Sequence, residues 1–189
     1  MDAGLSAVLG ATVGAVGTGG AAAITALLSR SQVRFQVDAE HERVLRDSRR
    51  IAYAALVEAL TRAMQATRQC DFSVRAYHAA GETRRQESQE QITAEQEEAN
   101  RLHRALEPHQ ALVIIEGPTE IALAATEAQR SLTQYALSVT QYLYALNLGE
   151  PADTHQAEVN QHRDAAMHRQ KEFEFAASRV LATRKQSTA

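Results

Sequence analysis

The fold class of this chain is clearest in residues 121–146, IALAATEAQRSLTQYALSVTQYLYAL. Its apolar side chains recur at alternating spacings of three and four residues, which is typical of one face of an α-helix. These positions are Ile121, Ala125, Ala128, Leu132, Tyr135, Val139, Tyr142 and Leu146. Pro118 suits the first turn of such a helix and Gly149 suits its end, so the pattern predicts a helix over residues 119–148.

On either side of this stretch, similar stripes predict helices at about residues 31–79, 82–107 and 153–185. The first stripe is Val37, Val44, Ile51, Ala55, Ala59, Ala63, Cys70, Val74 and Tyr77, widened by Leu56 and Leu60. The second is Ile92, Ala99, Leu102 and Leu106, and the last is Val159, His162, Ala166, Phe173, Ala177, Val180 and Leu181. Because short connections make consecutive helices antiparallel, we expect an all-α chain in which residues 51–189 form a four-helix bundle.

The connection at residues 108–118 is open to two interpretations. Pro108 is expected to end or kink the second helix. The four apolar residues 112–115 that follow fit either a last helical turn or a short extended segment, and periodicity does not separate the two.

The first thirty residues differ from the rest because residues 3–29 carry no charge. As a helix this stretch measures about 40 Å, which is enough to cross a hydrocarbon core of about 30 Å. Arg30 and Arg34 follow it, and residues 31–50 form a charged helical stalk. Basic residues mark the cytoplasmic side, so we expect a single-pass protein of the cell membrane with its N-terminus outside and its bundle in the cytoplasm.

Small residues within this segment predict self-association. Gly10 and Gly14 form a GxxxG pair, and Ala7 and Ala11 lie beside it at the same spacing. Small side chains one helical turn apart let two backbones approach closely in lipid. We therefore expect a homo-oligomer.

Two alternatives use the same segment. A Gly/Ala-rich helix also fits a membrane-active oligomer in which gathered helices line a pore. Separately, Gly17-x-Gly19-x-x-Ala22, followed by an alternating run to Asp38, imitates the fingerprint of a Rossmann-like nucleotide-binding enzyme. That fold needs further strands alternating with helices, and the rest of the chain offers only residues 112–115 as another short apolar run.

Chemistry-bearing motifs are sparse, so we expect no catalysis, no cofactor and no metal. His155, Glu158 and His162 share one helix face, but bundle metal sites draw ligands from several facing helices, and a solvated face is the simpler interpretation. Cys70 lies on an apolar stripe, so we expect its thiol to be buried and inert. A net charge of −3 gives no basic field for nucleic acid, and the acidic run at residues 87–98 is a solvated face or a docking surface for a protein partner.

Two runs carry a resemblance: AEHERVLRDSRRIAYAALVEAL, residues 39–60, and IIEGPTEIALAA, residues 114–125. With the small-residue apolar leader, they resemble uncharacterised membrane-anchored helical proteins of actinobacteria. The resemblance implies the architecture and assigns no site. The sequence thus predicts a membrane-anchored helical bundle that acts through self-assembly or partner binding.

Overall fold

The computed structural model describes the backbone of residues 3–79 and 85–182, and the side chains of residues 36–37, 40–79 and 88–182. Its elements are α1 (Ala3–Ala79), α2 (Arg85–Arg104), α3 (Leu106–Glu116), α4 (Thr119–Leu148) and α5 (Ala152–Ala182). Within the described ranges every regular element is an α-helix, which confirms the all-α prediction. α1 passes through Gly17, Gly19 and Asp38 as helix, without the strand and turn that the nucleotide fingerprint requires.

The chain divides into two compact units, Met1–Leu45 and Arg46–Ala189. The described part of the first unit is helical and belongs to α1. The second unit is a helical bundle that contains the rest of α1 together with α2 to α5. No helix among the described residues is both long and apolar enough to cross a membrane. The side chains of the predicted membrane segment, residues 1–30, lie outside the described residues.

Cross-helix hydrogen bonds fix the directions of the helices in the bundle. They join Gln69 to Glu95, Arg49 to the carbonyl of Glu116, Arg75 to Asn160, and Gln170 to Thr61. As residue numbers rise along α1, those of its partners fall in both α2/α3 and α5. α1 is therefore antiparallel to both neighbours, and the second leg of the bundle consists of α2 and α3 in succession.

Pro108 explains why that second leg is broken in two. A proline inside a helix has no N–H to donate, and its ring clashes with the carbonyl four residues earlier, here that of Arg104. Accordingly α2 ends at Arg104 and α3 begins at Leu106, with Pro108 in the first turn, where N–H groups lack helical partners in any case. Of the two interpretations of residues 112–115, the structure has the helical one.

The core of the bundle follows the predicted stripes closely in α2, α4 and α5. Seven of the eight stripe positions in α4 are buried, and only Leu146 is half-buried. Leu132, at the centre of the stripe, is 1% exposed. In α5 the buried stripe residues are Val159, Ala166, Phe173 and Ala177, while His162, Val180 and Leu181 are half-buried.

The predicted stripe of α1 was wrong at its start. Val37, Val44 and Ile51 are 61%, 57% and 71% exposed. The line of core contacts runs instead through Leu56, which is fully buried. At about 100° per residue, Ile51 lies about 140° around the helix from Leu56 and so faces away from that line. Val37 and Val44 belong to the first unit, Met1–Leu45. Buried α1 residues that the prediction did not include are Ala52, Tyr53, Met64, Thr67, Asp71 and Ser73.

The turn between α4 and α5 depends on Gly149. Its φ of +75° is left-handed, a conformation in which a Cβ is strained. The amide N–H groups of Gly149 and Glu150 donate to the carbonyls of Leu146 and Ala145. This ends α4 as predicted, and Pro151 separates it from α5.

Candidate interaction surface

The short helix α3 presents two different faces. Its inner face packs into the bundle through Leu106 and Val113, both fully buried. On the same side, Gln110 Nε2 donates to Thr126 Oγ1 at 3.1 Å, which ties α3 to α4. These contacts fix the rotation of α3 about its own axis and so determine which side chains it turns outward.

The outer face of α3 is almost entirely apolar. We call it the α3 apolar face, and it consists of Pro108, Ala111, Leu112, Ile114 and Ile115, all exposed. Ile115 is 76% exposed, and Leu112 and Ile114 are 47% and 49% exposed. Glu107 is the one charged side chain among the fully exposed residues of this helix. Contiguous exposed apolar surface of this kind marks interaction sites, because water solvates it poorly.

Charged residues flank α3: Arg104 precedes it, and Glu116 and Arg49 lie at its end. Arg104 is exposed at the end of α2, and its Nε donates to the carbonyl of Asn100 at 3.4 Å. Glu116 ends α3, where its carbonyl oxygen accepts from Arg49 Nε at 2.6 Å. Among the described residues, neither the Arg104 guanidinium nor the Glu116 carboxylate has an ion-pair partner within 4 Å.

A groove of about 380 Å³ lies between α4 and α5 beside the exposed Tyr144. His155 Nε2 lies 3.3 Å from Glu150 Oε2, and His155 Nδ1 lies 3.9 Å from Glu158 Oε2. His162 is not among the residues that line the groove. In the part of the chain that the structure describes, no group of three His, Cys, Asp or Glu side chains is placed to hold a metal ion.

The interior of the bundle contains a charged network that the sequence analysis missed. Asp71, only 4% exposed, accepts hydrogen bonds from Arg75 Nε at 2.7 Å and from Arg75 Nη2 at 3.2 Å. The hydroxyl of the fully buried Tyr135 also donates to Asp71 Oδ2 at 3.0 Å, and Arg75 Nη2 donates to Asn160 at 2.9 Å. The network joins α1, α4 and α5. Burial, together with the Asp71 charge and hydrogen bond, raises the pKa of Tyr135.

Two further titratable groups are shielded from water in the bundle: Cys70 is buried and His103 is half-buried. Burial and the nearby carboxylates of Glu95 and Asp71 raise the pKa of Cys70 to about 12, so its thiol stays protonated and unreactive near neutral pH. Thr67 Oγ1 and His103 Nε2 are 3.1 Å apart, and burial lowers the pKa of His103. The buried position predicted for Cys70 is confirmed.

The association residues named from the sequence, Gly10, Gly14, Ala7 and Ala11, lie outside the described side chains, as do Arg30 and Arg34. The α3 apolar face was passed over because its run was treated as a connection. The spacing of Pro108, Ala111, Leu112 and Ile115 was the available signal, since residues three and four apart share a helix face.

Comparison with known proteins adds no identification: no family model, no curated protein and no solved structure matches this chain.

Proposed function

We propose that this chain is a membrane-anchored helical bundle that acts through self-assembly or binding of a protein partner, and not through catalysis. The observation that carries this proposal is the α3 apolar face. It exposes Leu112, Ile114 and Ile115 in one short helix whose opposite side is fixed in the core. Exposing large apolar side chains to water costs free energy, and binding another protein surface over them removes that cost.

The internal titratable groups support a non-catalytic role. A catalytic base or nucleophile needs a pKa near the working pH and access to substrate. The Asp71 carboxylate is occupied by Arg75 and Tyr135, and Cys70 is held as a thiol. These groups stabilise the core, and the functional surface we assign is the exterior of the bundle.

The membrane anchor in this proposal is the uncharged segment at residues 3–29. Its length as a helix suits a bilayer, and the arginines at positions 30 and 34 favour a cytoplasmic bundle. Small residues at Gly10 and Gly14 give copies of the anchor a surface along which to associate.

The test of the anchor places charges within the apolar segment of the full chain. Val13→Arg combined with Val16→Arg puts two cations near the middle of this segment, where each disfavours insertion by about 2.5–3.5 kcal/mol. We expect the native chain to stay with membranes through an alkaline carbonate wash and the double variant to be released. Val37→Arg, at a 61% exposed position beyond the apolar segment, is the matched control and should stay in the pellet. Release of the native chain would contradict the anchor.

A further inference from the structure

We propose that the outer face of α4 packs in parallel against the same face of a second copy of this chain, forming a two-fold symmetric helix pair. Five exposed residues that alternate by three and four positions make up this face, which we call the α4 seam: Gln134, Leu137, Gln141, Tyr144 and Leu148. The inference rests on the self-assembly in the proposed function and names a surface that carries it.

The α4 seam has the spacing of a coiled-coil contact. Its residues fit the a and d positions of consecutive heptads, which lie along one side of a helix. Leu137, Tyr144 and Leu148 are 56%, 66% and 58% exposed. At about 100° per residue, these three lie within about 40° of one another around α4. A second helix laid along this line removes their apolar surface from water without disturbing the core on the opposite side.

The charge pattern selects a second copy as the occupant of the seam. Residues 131–148 contain no Asp, Glu, Lys, Arg or His over about 27 Å of helix. In a parallel two-fold pair each residue faces its own counterpart, so a charged residue would meet a like charge. Exposed charges interrupt the outer faces of other helices, for example Glu97 and Arg101 in α2 and Asp164 and Lys171 in α5. The α4 seam avoids that repulsion.

The two glutamines favour a parallel pair over an antiparallel one. A glutamine amide both donates and accepts hydrogen bonds, so two copies of the same glutamine satisfy each other across a two-fold axis. In a parallel pair Gln134 and Gln141 each meet their own counterpart. In an antiparallel pair centred on Gln141, Gln134 would meet Leu148 and have no polar partner. Polar residues at a positions fix the register of coiled coils in this way.

A parallel pair also suits two copies held in one membrane. The Tyr135 hydroxyl donates to Asp71, and the Tyr77 hydroxyl donates to Asn147. Residue numbers therefore rise together along α1 and α4, and parallel α4 helices place both starts of the bundle unit, at Arg46, at one end of the pair. From that end both chains lead back in sequence to the proposed anchors. Two anchored copies have a high effective concentration, which favours a contact as short as this one.

The groove between α4 and α5 gives the tyrosine rings room at the contact. Tyr144 of one copy meets the same residue of the other, and two phenol rings need space to lie side by side. Thr140 and Ala145 line the groove beside Tyr144, and its volume is about 380 Å³. Each copy therefore offers a hollow next to the ring that its partner presents.

The experiment is disulfide crosslinking of the full chain in the cells that express it. Gln134→Cys and Leu148→Cys place thiols at the two ends of the α4 seam, where a parallel pair brings each within the span of a disulfide to its own counterpart. Under mild oxidation we expect a dimer band from each single variant. Ala165→Cys, exposed on α5, and the native chain, whose Cys70 is buried, are the controls and should give none. Absence of both bands, or equal bands from Ala165→Cys, would overturn the proposal.

Co-expression of the two variants tests the direction of the contact. An antiparallel pair would hold identical end cysteines about 21 Å apart along the helix axis, far beyond the reach of a disulfide. It would instead join a Gln134→Cys chain to a Leu148→Cys chain. A band from the mixture, with none from either variant alone, would overturn the parallel arrangement.

Charges at Leu137 test whether identical residues meet. In the Leu148→Cys chain, Leu137→Arg should lower crosslinking by at least about tenfold through like-charge repulsion. Co-expression with a Leu148→Cys chain that carries Leu137→Glu should restore a mixed dimer. Ile51→Arg, at a 71% exposed position on α1, is the matched control and should leave crosslinking unchanged. No loss from Leu137→Arg, or no restoration in the mixture, would overturn the proposal.

Failure here and failure of the proposed function give different results. The mass of the native chain extracted in detergent reports assembly by any surface, whereas the cysteine bands report the α4 seam alone. An oligomer without the bands overturns this inference and leaves the proposed function standing. A monomer without the bands overturns the inference and removes self-assembly from the proposed function as well.

Discussion

Tyr135→Phe removes one hydroxyl from the centre of the bundle and tests whether the Asp71 network stabilises the fold. Tyr135 is fully buried, and its hydroxyl donates to a carboxylate that is 4% exposed at 3.0 Å. A hydrogen bond to a charged group contributes about 1.5–3 kcal/mol. We therefore expect the free energy of unfolding to fall by about 2 kcal/mol, which lowers the melting temperature by about 4–8 °C in a chain of this size.

The assay is urea unfolding followed by circular dichroism, with Tyr144→Phe as the matched control. Tyr144 lies on the same helix but is 66% exposed, so its hydroxyl should contribute less than about 0.5 kcal/mol. A double-mutant cycle with Asp71→Asn isolates the charged part of the interaction, because an asparagine carbonyl still accepts the hydroxyl but carries no charge. Tyr135→Phe should then have a smaller effect. An equal effect in both backgrounds, or an effect no larger than that of Tyr144→Phe, would show that the hydrogen bond to the Asp71 charge does not stabilise the fold.

Three further predictions concern other parts of the bundle. Leu132→Ala, at a 1% exposed position, should lower the free energy of unfolding by about 2–5 kcal/mol, whereas the exposed Glu97→Ala should change it by less than about 0.5 kcal/mol in the same urea titration. Burial lowers the pKa of His103 from its ordinary value of 6.5, so the unfolded chain binds a proton on this ring more readily than the folded chain does. The free energy of unfolding is therefore unaffected by this ring above about pH 6.5, and it falls as the pH is lowered from there toward the pKa of the folded state. His103→Gln should flatten this slope between about pH 7.5 and about pH 5.5, and an unchanged slope would show that His103 does not cause it. Nothing lies within 4 Å of a Cβ added at Gly149, so Gly149→Ala should lower the melting temperature only through backbone strain, of about 1–2 kcal/mol. Gly149→Asn should lower it less, because asparagine tolerates a positive φ better than alanine does.

The sequence predicted the helices of the bundle well because their ends are marked by residues with strong local effects. Gly149 and Pro118 fixed α4, and the spacing of Ile121 to Tyr142 identified its buried face before any partner helix was known. Such signals are local, since a left-handed glycine or a three-and-four repeat does not depend on distant contacts. Pro108 likewise marked the break between α2 and α3.

The sequence did not reveal the features that depend on distant residues. An aspartate within a helix is expected to face water, and nothing near Asp71 in the sequence indicates that it bonds to Tyr135, which lies 64 residues away. Ile51 continues an apolar spacing from Val37 and Val44, but in the bundle α1 packs along the line through Leu56, so Ile51 remains exposed. The α3 apolar face has a local spacing signal, but the direction in which it points depends on packing: Val113 is buried against the bundle, so Ile114 and Ile115 are exposed.

The most direct test of the account is the detergent-corrected mass of the full chain extracted from carbonate-washed membranes, measured by light scattering. One copy has a mass of 20.7 kDa. An anchored bundle that self-assembles should be found in the washed membranes and should give a whole-number multiple of that mass, at least twofold. A chain that leaves the membranes in the wash and has the mass of a single copy would contradict both the anchor and the self-assembly.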